Sequence, residues 1–558
     1  MTTENQMDEW KTINWRKVEK QVFKLQKRIY QAARREDLKT VHRLQRLLVN
    51  SRAGKLLATR RVTQDNQGKK TAGVDGVASL TPSQRLKLTE NLSIRIKPSP
   101  TRRIWIPKPN GEQRPLGIPT MKDRAVQALA KLALEPQWEA YFEPNSYGFR
   151  PGRCVQDAIA AIHNGLKYRP SYVLDADIAK CFDRISHQAI LNKLKTISPI
   201  RNAVKRWLKA GFMDETKLFP TDEGTPQGGV ISPLLANIAL HGLETHVTGK
   251  YPERLPRSQG GAYWKPKVIR YADDFVIMHP SLEVIQETKE LVSKWLVETG
   301  LELKPSKTRI RHILEADDDG EGGIDFLGFS IKQVHRGKYR AIRQYLHSRK
   351  TCTVYGHKTY IRPSKEGIRR HKAELKAVMK AHRSTGQYAL IAKLNPVIRG
   401  WCNYYKHVCS KRTFDSLSYF LWQNLRRWGL RRHRGKSTKY VANKYWDRSV
   451  FGKSDGIHLM RHSQYKIVRH QKIKDVKSPY DGDWVYWARR NRILPSTSSL
   501  KAMLLKKQNG KCGYCQLYFT MFDQAEVHHK DNNHRNNKKD NLELLHRHCH
   551  DKAHGSLI

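Results

Sequence analysis

Long apolar runs are missing from this 558-residue chain. A membrane-spanning helix needs about 20 consecutive apolar residues, and the nearest approach, Val230 to Leu240, is broken by Ser232, Pro233 and Asn237. Cysteine is scarce too: eight residues are too few for a disulfide framework in a chain of this length. Three of them fall within the last 50 positions, where metal binding is the better reading. The first residues, MTTENQMDEW, lack the basic-then-apolar order of a secretory signal, and their acids argue against a transit peptide. An intracellular protein without membrane contact is expected. Acidic residues are in deficit, 51 against 104 Lys and Arg, leaving a formal charge of +53. A surface this positive gains most by releasing counterions condensed on phosphates, so the expected partner is nucleic acid.

The apolar content, 39% with 9% aromatics, is enough for packed cores, and at about 150 residues per domain the length suggests three to five domains. Trp15, Val18, Val22, Leu25 and Ile29, then Val41, Leu44 and Leu48, recur at helical spacing and predict two amphipathic helices. Gln64 to Gly76 reads as a loop. From Arg102 onward, β-type runs (RRIWIP, SYVLDADI, KVIRYADDFVIM) alternate with helical runs such as Arg124 to Tyr141, an α+β pattern. Residues 336–500 differ in composition: 39 Lys and Arg stand against 8 Asp and Glu, a net +31, with 13 of the 23 Tyr and 6 of the 13 Trp interleaved. Such a stretch fits nucleic-acid contact, its rings stacking on bases or supporting the basic surface. Helical runs at His371 to His382 and Thr413 to Leu430 place an α-helical module there, and beyond Phe451 the pattern weakens into a separate basic segment.

Two acidic strand ends carry the first chemistry. Val268 to Met278 predicts a buried hairpin with Asp273 and Asp274 at its tip, although adjacent acids are often only turn formers. Asp177 ends another apolar run 96 residues before Asp273. Template-directed phosphoryl transfer needs carboxylates from separate elements converging on two Mg²⁺ ions, and Asp177, Asp273 and Asp274 supply that set. Asp175 and Asp183 are assigned supporting positions. Between the acidic strands, GTPQGGVISPLLANIAL places Gln227 in a glycine-rich turn before a helix, able to touch a nucleotide or template base unless the turn is purely structural. Lys108 and Arg114 flank an Asn110-Gly111 turn and can clamp an incoming triphosphate.

The ordered motifs IPKPNGEQRPLGIP, YGFRPGRCVQDAI, DADIAKCFD, GTPQGGVISPLLANI, YADD, LELKPSKT and IDFLGF resemble the reverse transcriptases encoded by mobile group II introns. The resemblance covers residues 60–335. It implies a right-hand palm and fingers, Mg²⁺ on Asp177, Asp273 and Asp274, and dNTP contacts at Lys108 and Arg114. It also implies an aromatic gate against ribonucleotides at Phe182, whose other reading is a core aromatic. Lys307 is a further phosphate-contact candidate. LIAKLNPVIRGWCNYYKHV, Leu390 to Val408, resembles the family's α-helical thumb or maturase domain, which binds intron RNA, and the segment after it resembles the DNA-binding region. The expected divisions are 1–95, an N-terminal helical extension; 96–335, fingers and palm; 336–450, thumb; 451–500, a basic DNA-binding segment; and 501–558, a nuclease module.

In that last module Cys512 and Cys515 form one Cys-x-x-Cys pair, and His546 with Cys549 repeats the spacing 31 residues on. Four such ligands can close a tetrahedral Zn²⁺ site that staples a small domain. The remaining histidines make it resemble an HNH endonuclease of the ββα-metal type. By that resemblance His529 is the general base, His528, His550 and His554 hold Mg²⁺ or another divalent metal, and Asn541 orients the base-bearing strand. His546 is open to either metal. The whole is expected to be a multidomain α+β protein, cytoplasmic in a bacterium or encoded in an organelle genome. It would bind intron RNA for splicing, nick target DNA and copy the RNA from the new 3′ end. The competing expectations are a splicing-only maturase and a retron or diversity-generating reverse transcriptase.

Overall fold

The computed structural model describes residues 9–107, 111–215, 217–259, 262–317, 322–337, 342–345, 352–453, 456–474, 477–494, 497–534 and 536–554. Three helices rather than two open the chain: Trp15–Arg34, Leu38–Asn50 and Arg52–Arg60. Each starts on a side-chain cap, with Asn14, Asp37 and Ser51 accepting from the backbone N–H of Lys17, Thr40 and Gly54. The cap at Ser51 is what divides the second periodic run in two. The predicted loop from Gln64 begins instead as helical turns, a wide π turn at Arg61–Asp65 and a tight 3₁₀ turn at Gln67–Lys70.

These helices pack on Met121–Tyr141, which is buried over most of its circumference. Pro136 lies inside that helix and has no N–H, so the carbonyl of Leu132 loses its partner one turn on. Gln26, itself buried in the first helix, donates to that carbonyl at 2.9 Å, and Gln45 donates to Gln137 Oε1 at 2.7 Å. A proline break in one element is thus repaired by a side chain from another.

Two four-stranded sheets follow. In the first, Gln113–Ile118, Thr101–Pro107, Phe212–Asp214 and Lys217–Phe219 lie in that order, and Ile106 pairs with Arg114. Lys108 and Asn110 lie outside the described residues. The second sheet is antiparallel, ordered Lys267–Tyr271, Asp274–His279, Tyr172–Asp177, Arg309–His312. Its strands are apolar on both faces because both are covered. Leu174, Phe275 and Ile277 enter the core shared with the N-terminal helices, whereas Val173, Val276 and Met278 enter the core shared with residues beyond 324.

That second core runs on through a three-stranded sheet (His357–Pro363, Phe329–His335, Ile324–Phe326) into the helices Lys365–Ala381, Gln387–Tyr405, Lys411–Arg432 and Thr438–Tyr445. The two helices predicted in this region are present and longer at both ends or at one. The segment after Phe451, which sequence periodicity leaves undefined, is docked by a buried carboxylate. Asp157 receives Arg490 Nη2 at 2.5 Å, His470 Nε2 at 3.0 Å and the Ile473 N–H at 2.9 Å. Burial opposes ionisation there, but these donors outweigh it and hold the carboxyl well below the usual range. A third, small core gathers Leu504, Leu505, Phe519, Leu542, Leu544 and Leu545 around the hairpin Ala525–His529/Leu542–His546 and the helix Arg547–Ala553. Among the described residues no helix is long and apolar enough to cross a membrane.

Gln26→Leu keeps the bulk of the side chain but leaves the buried Leu132 carbonyl without a donor. It should lower stability by about 1–3 kcal/mol, read as an earlier denaturant midpoint, whereas Lys24→Leu on the exposed face should leave the midpoint within error.

Candidate active sites

The two acidic strands meet as the sequence suggests, with one change of detail. Asp177 is the cross-strand partner of Asp274, and Tyr271 pairs with Asp274, so the two-residue tip is Ala272-Asp273 and Asp274 already belongs to the returning strand. Ala272 takes a left-handed conformation, φ 59°, which a non-glycine residue holds only under constraint. The constraint comes from behind the turn. Arg270, 2% exposed, donates Nη1 to Asn237 Oδ1 at 3.0 Å and to the Ala272 carbonyl at 3.2 Å. Asn237 in turn donates to the Gly148 carbonyl at 2.8 Å. Gly148 packs so closely that a Cβ there would sit 2.3 Å from the Ala272 nitrogen. Arg270 and Asn237 went unassigned in the sequence; the usable signal was an arginine inside an otherwise apolar strand.

The carboxylates strain against one another. Burial, then the charges of Asp273 and Asp177, push the Asp274 carboxyl up to about 7, and burial raises Asp273 as well. Lys307 Nζ lies 2.7 Å from Asp177 Oδ2 and offsets part of that repulsion, so it sits on the carboxylate rather than in open solution. Asp175 is separate in role: burial and Asp325 push it up to about 7, facing a cavity of about 620 Å³ that also takes in Asp177, Asp274 and Lys307. An all-oxygen donor set of three carboxylates suits a hard divalent cation.

The nucleotide candidates lie around this centre. Arg114 is close enough for its charge to act on both Asp273 and Asp183. Gln227 donates to Asp183 Oδ1 at 3.3 Å, which fixes its amide at the rim of a second cavity with Arg103 and Phe182. Phe182 is half-buried and meets Phe149 edge-on, ring centres 6.0 Å apart, so it is not a core aromatic. Its carbonyl accepts the Thr225 N–H at 2.6 Å, and Gly224 (φ 83°) crosses so near the Asp183 carbonyl that a Cβ would clash at 2.5 Å. The glycine-rich turn is shaped by that crossing.

The C-terminal hairpin carries two separate clusters. Cys512, Cys515, Cys549 and His546 converge, with His546 Nδ1 at 3.3 Å from Cys515 Sγ. His546 Nε2 faces Asp523 Oδ2 at 3.4 Å, so both of its nitrogens are committed to this cluster. That removes it from the second one, in which His528, His550 and His554 bring their nitrogens together: His528 Nδ1 to His554 Nε2 is 3.1 Å, and His554 Nε2 to His550 Nε2 is 3.2 Å. Burial and then the neighbouring imidazoles hold His528 below its ordinary pKa, keeping it neutral and available as a ligand. Glu526 Oε2 faces His550 Nδ1 at 3.4 Å, a carboxylate partner that sequence reading missed.

His529 points away from those three. Its Nε2 lies 3.3 Å from Asn537 Oδ1, an acceptor, which leaves Nδ1 as the basic nitrogen; that atom is buried and has no hydrogen-bond partner. Asn541 acts on the same region without touching the ring. Its carbonyl accepts the Lys530 N–H at 2.9 Å and its side chain clamps Asp531 at 2.8 Å, closing the loop that carries Asn537.

The interleaved aromatics of residues 336–500 divide. Trp428, Tyr405, Tyr445, Tyr480 and Trp487 are core residues, whereas Tyr388, Tyr419, Trp422 and Tyr440 are exposed beside cations such as Arg426 and Lys444. The other described Trp and Tyr rings of this stretch, such as Trp401, Tyr404 and Trp446, are half-buried.

Four family models match the chain in order: N-terminal domain of reverse transcriptase at residues 10–92, Reverse transcriptase (RNA-dependent DNA polymerase) at 106–331, Group II intron, maturase-specific domain at 368–446, and HNH endonuclease at 512–556. Protein YkfC of Escherichia coli (strain K12) is 34% identical over 337 residues, covering 54% of this chain and 87% of that protein. The group II intron-encoded protein LtrA of Lactococcus lactis subsp. cremoris is 29% identical over 426 residues, 64% of this chain and 68% of that protein. An uncharacterized 91 kDa protein in cob intron of Schizosaccharomyces pombe is 27% identical over 391 residues, 58% and 45% of the two chains. Reverse transcriptases and HNH endonucleases use divalent metals, and proteins of this make-up bind intron RNA and DNA. The chain belongs to the group II intron-encoded proteins, multifunctional reverse transcriptase-maturases with an HNH endonuclease, and is both an RNA-directed DNA polymerase and a DNA endonuclease.

Proposed function

We propose that Asp177, Asp273 and Asp274 are the metal-holding carboxylates of DNA synthesis. The antiparallel sheet forms the palm, the Thr101–Ile118 hairpin with the helices before it the fingers, and the helices from Lys365 to Tyr445 the thumb. The working divisions are 1–95, 96–335, 336–450, 451–500 and 501–558. The observation that carries the reading is the pairing of Asp177 with Asp274 beside Asp273, two strand-end acids and one turn acid at the same end of one sheet. The three carboxylates would hold magnesium, which would supply Lewis-acid activation of the primer 3′-hydroxyl and charge neutralisation for the departing pyrophosphate.

The surrounding residues bind and orient. Lys307 keeps the Asp177 carboxylate turned into the site. Arg114, together with Lys108, takes the triphosphate of the incoming dNTP. Phe182, braced by Phe149, closes against the sugar 2′ position and so excludes ribonucleotides. Gln227, steadied by Asp183, meets the base pair being formed.

In the C-terminal module three thiols and an imidazole match the ligand preference of structural Zn²⁺. His528, His550 and His554 suit a second divalent metal, magnesium or another, that polarises the scissile phosphate. His529 Nδ1 takes the proton of the attacking water while Asn537 fixes the ring. Both chemistries are phosphoryl transfers, and together they give the order of events: the chain folds its intron RNA for splicing, nicks target DNA, and copies the RNA from the exposed 3′ end.

Asp273→Asn should abolish RNA-templated dNTP incorporation on a supplied primer and leave intron RNA binding unchanged. Asn237→Ala, which deprives both Arg270 and Gly148 of a partner, should cost about 1–3 kcal/mol of stability and slow incorporation without abolishing it. Full activity in Asp273→Asn would refute the carboxylate assignment. In the nuclease module, His529→Ala should lose DNA nicking and retain its zinc by elemental analysis. Cys512→Ser should lose both, with faster hydrogen exchange confined to residues 499–554. Persistent nicking in His529→Ala would exclude it as the base.

A further inference from the structure

Between the N-terminal helices and the nuclease module lies a cavity of about 320 Å³ that takes in His546 and Arg547 but none of His528, His529, His550 and His554. Its walls are aromatic. Phe23 packs on Trp484 with ring centres 4.6 Å apart, and Phe522, stacked on Tyr480 at 5.3 Å, and Tyr518 also line it. Arg16, Lys20 and Arg61 also line it, with the Arg61 guanidinium 5.7 Å from the Phe522 ring centre.

The acids in the lining are already committed. Glu19 is held by Arg60 at 3.3 Å, Asp65 by Arg547 at 3.4 Å, and Asp523 by His546 at 3.4 Å. Among the described residues no ion pair engages Arg16, Lys20 or Arg61. The cavity thus offers flat apolar faces with uncompensated positive charge. A neutral apolar ligand would leave those cations without a counter-charge, and an inorganic anion would leave the rings unused. A nucleobase carried on a phosphodiester uses both, since every base has a π-face and every linkage a negative charge. The volume lies at the lower end of small-ligand pockets, about 300–1,000 Å³, which suits one nucleotide rather than a duplex.

We infer that this cavity binds a single unpaired nucleotide of a nucleic-acid strand, stacked between the Trp484 and Phe522 walls with its phosphates on Arg16, Lys20 and Arg61. The site is built by the N-terminal and C-terminal parts of the chain together, so a strand held there bridges them. It stands whether or not the nuclease cleaves.

The test is ultraviolet crosslinking of the full-length protein to 5-iodouracil-substituted oligouridylate and, separately, oligodeoxyuridylate, with the crosslinked peptides mapped by mass spectrometry. Crosslinks on Trp484, Tyr518 or Phe522 are expected with at least one of the two, and whichever gives them identifies the strand as RNA or DNA. A Lys20→Gln/Arg61→Gln double variant should lower that yield about tenfold by removing phosphate contacts, while crosslinks within residues 411–445 keep theirs. The substituted side chains lie at the cavity rim, and an unchanged melting temperature would confirm that the fold is intact. Absence of crosslinks at these rings with both oligonucleotides, or an unchanged yield in the double variant, would overturn the assignment.

Discussion

One buried guanidinium underlies the polymerase centre. A charge taken out of water costs several kcal/mol unless it is paired and hydrogen-bonded, and Arg270 lies in the middle of an apolar strand. Burial pulls its pKa down only to about 10, so it remains charged. Its Nη1 donates to both Asn237 and the Ala272 carbonyl, Asn237 reaches on to Gly148, and Nε and Nη2 are buried without a hydrogen-bond partner. Three segments distant in sequence are thereby registered on one turn, and the left-handed Ala272 is held where it would otherwise relax. The position of Asp273, and so the spacing of all three carboxylates, follows from that arrangement.

The same balance of charge recurs at larger scale. In a chain with a surplus of +53, Asp177, Asp273 and Asp274 nevertheless meet at one sheet end. Lys307 partly offsets them. In residues 336–500 the positive excess lies on a surface whose stiffness comes from buried rings: His371 stacks on Trp401 at 4.7 Å, and Trp428 packs against Tyr445 and Phe451. Binding through such a surface depends on shape and phosphate spacing more than on base identity.

What the sequence revealed follows from how local each signal is. Asp177, Asp273 and Asp274 were legible because acids at the ends of apolar runs violate the expected pattern. Cys512, Cys515 and Cys549 were legible because ligand spacing is written in the chain. The third N-terminal helix was hidden because Ser51 reads equally as a helix residue or a cap. Gln26 and Asp157 were hidden because their partners, Leu132 and Arg490, lie about 100 and 330 residues away. The choice between metals for His546 was invisible for a related reason. The contact that bears on it is Asp523, a residue outside both spaced motifs, whose carboxylate faces the second ring nitrogen.

The ties between modules differ in strength, and the difference bears on how one chain can run two reactions. Asp157 and Arg490 are sealed from solvent, and removing one partner from such a pair costs about 3–5 kcal/mol. The segment up to Ile493 is therefore stapled to the back of the polymerase. The nuclease module beyond it meets the N-terminal helices through a partly exposed ion pair, Arg547 with Asp65, and through His548, which lies 3.7 Å from Glu19 but is kept uncharged by burial, its pKa pushed down to about 4. A partly exposed ion pair contributes about 1 kcal/mol or less. Arg547 also contacts Glu526, the carboxylate behind His550, so the weak contact and the nuclease histidines share one side chain. The buried Asp157–Arg490 pair thus fixes residues 451–493 to the core behind the three carboxylates, whereas the nuclease module is joined by partly exposed polar contacts and by the Tyr480–Phe522 ring stack.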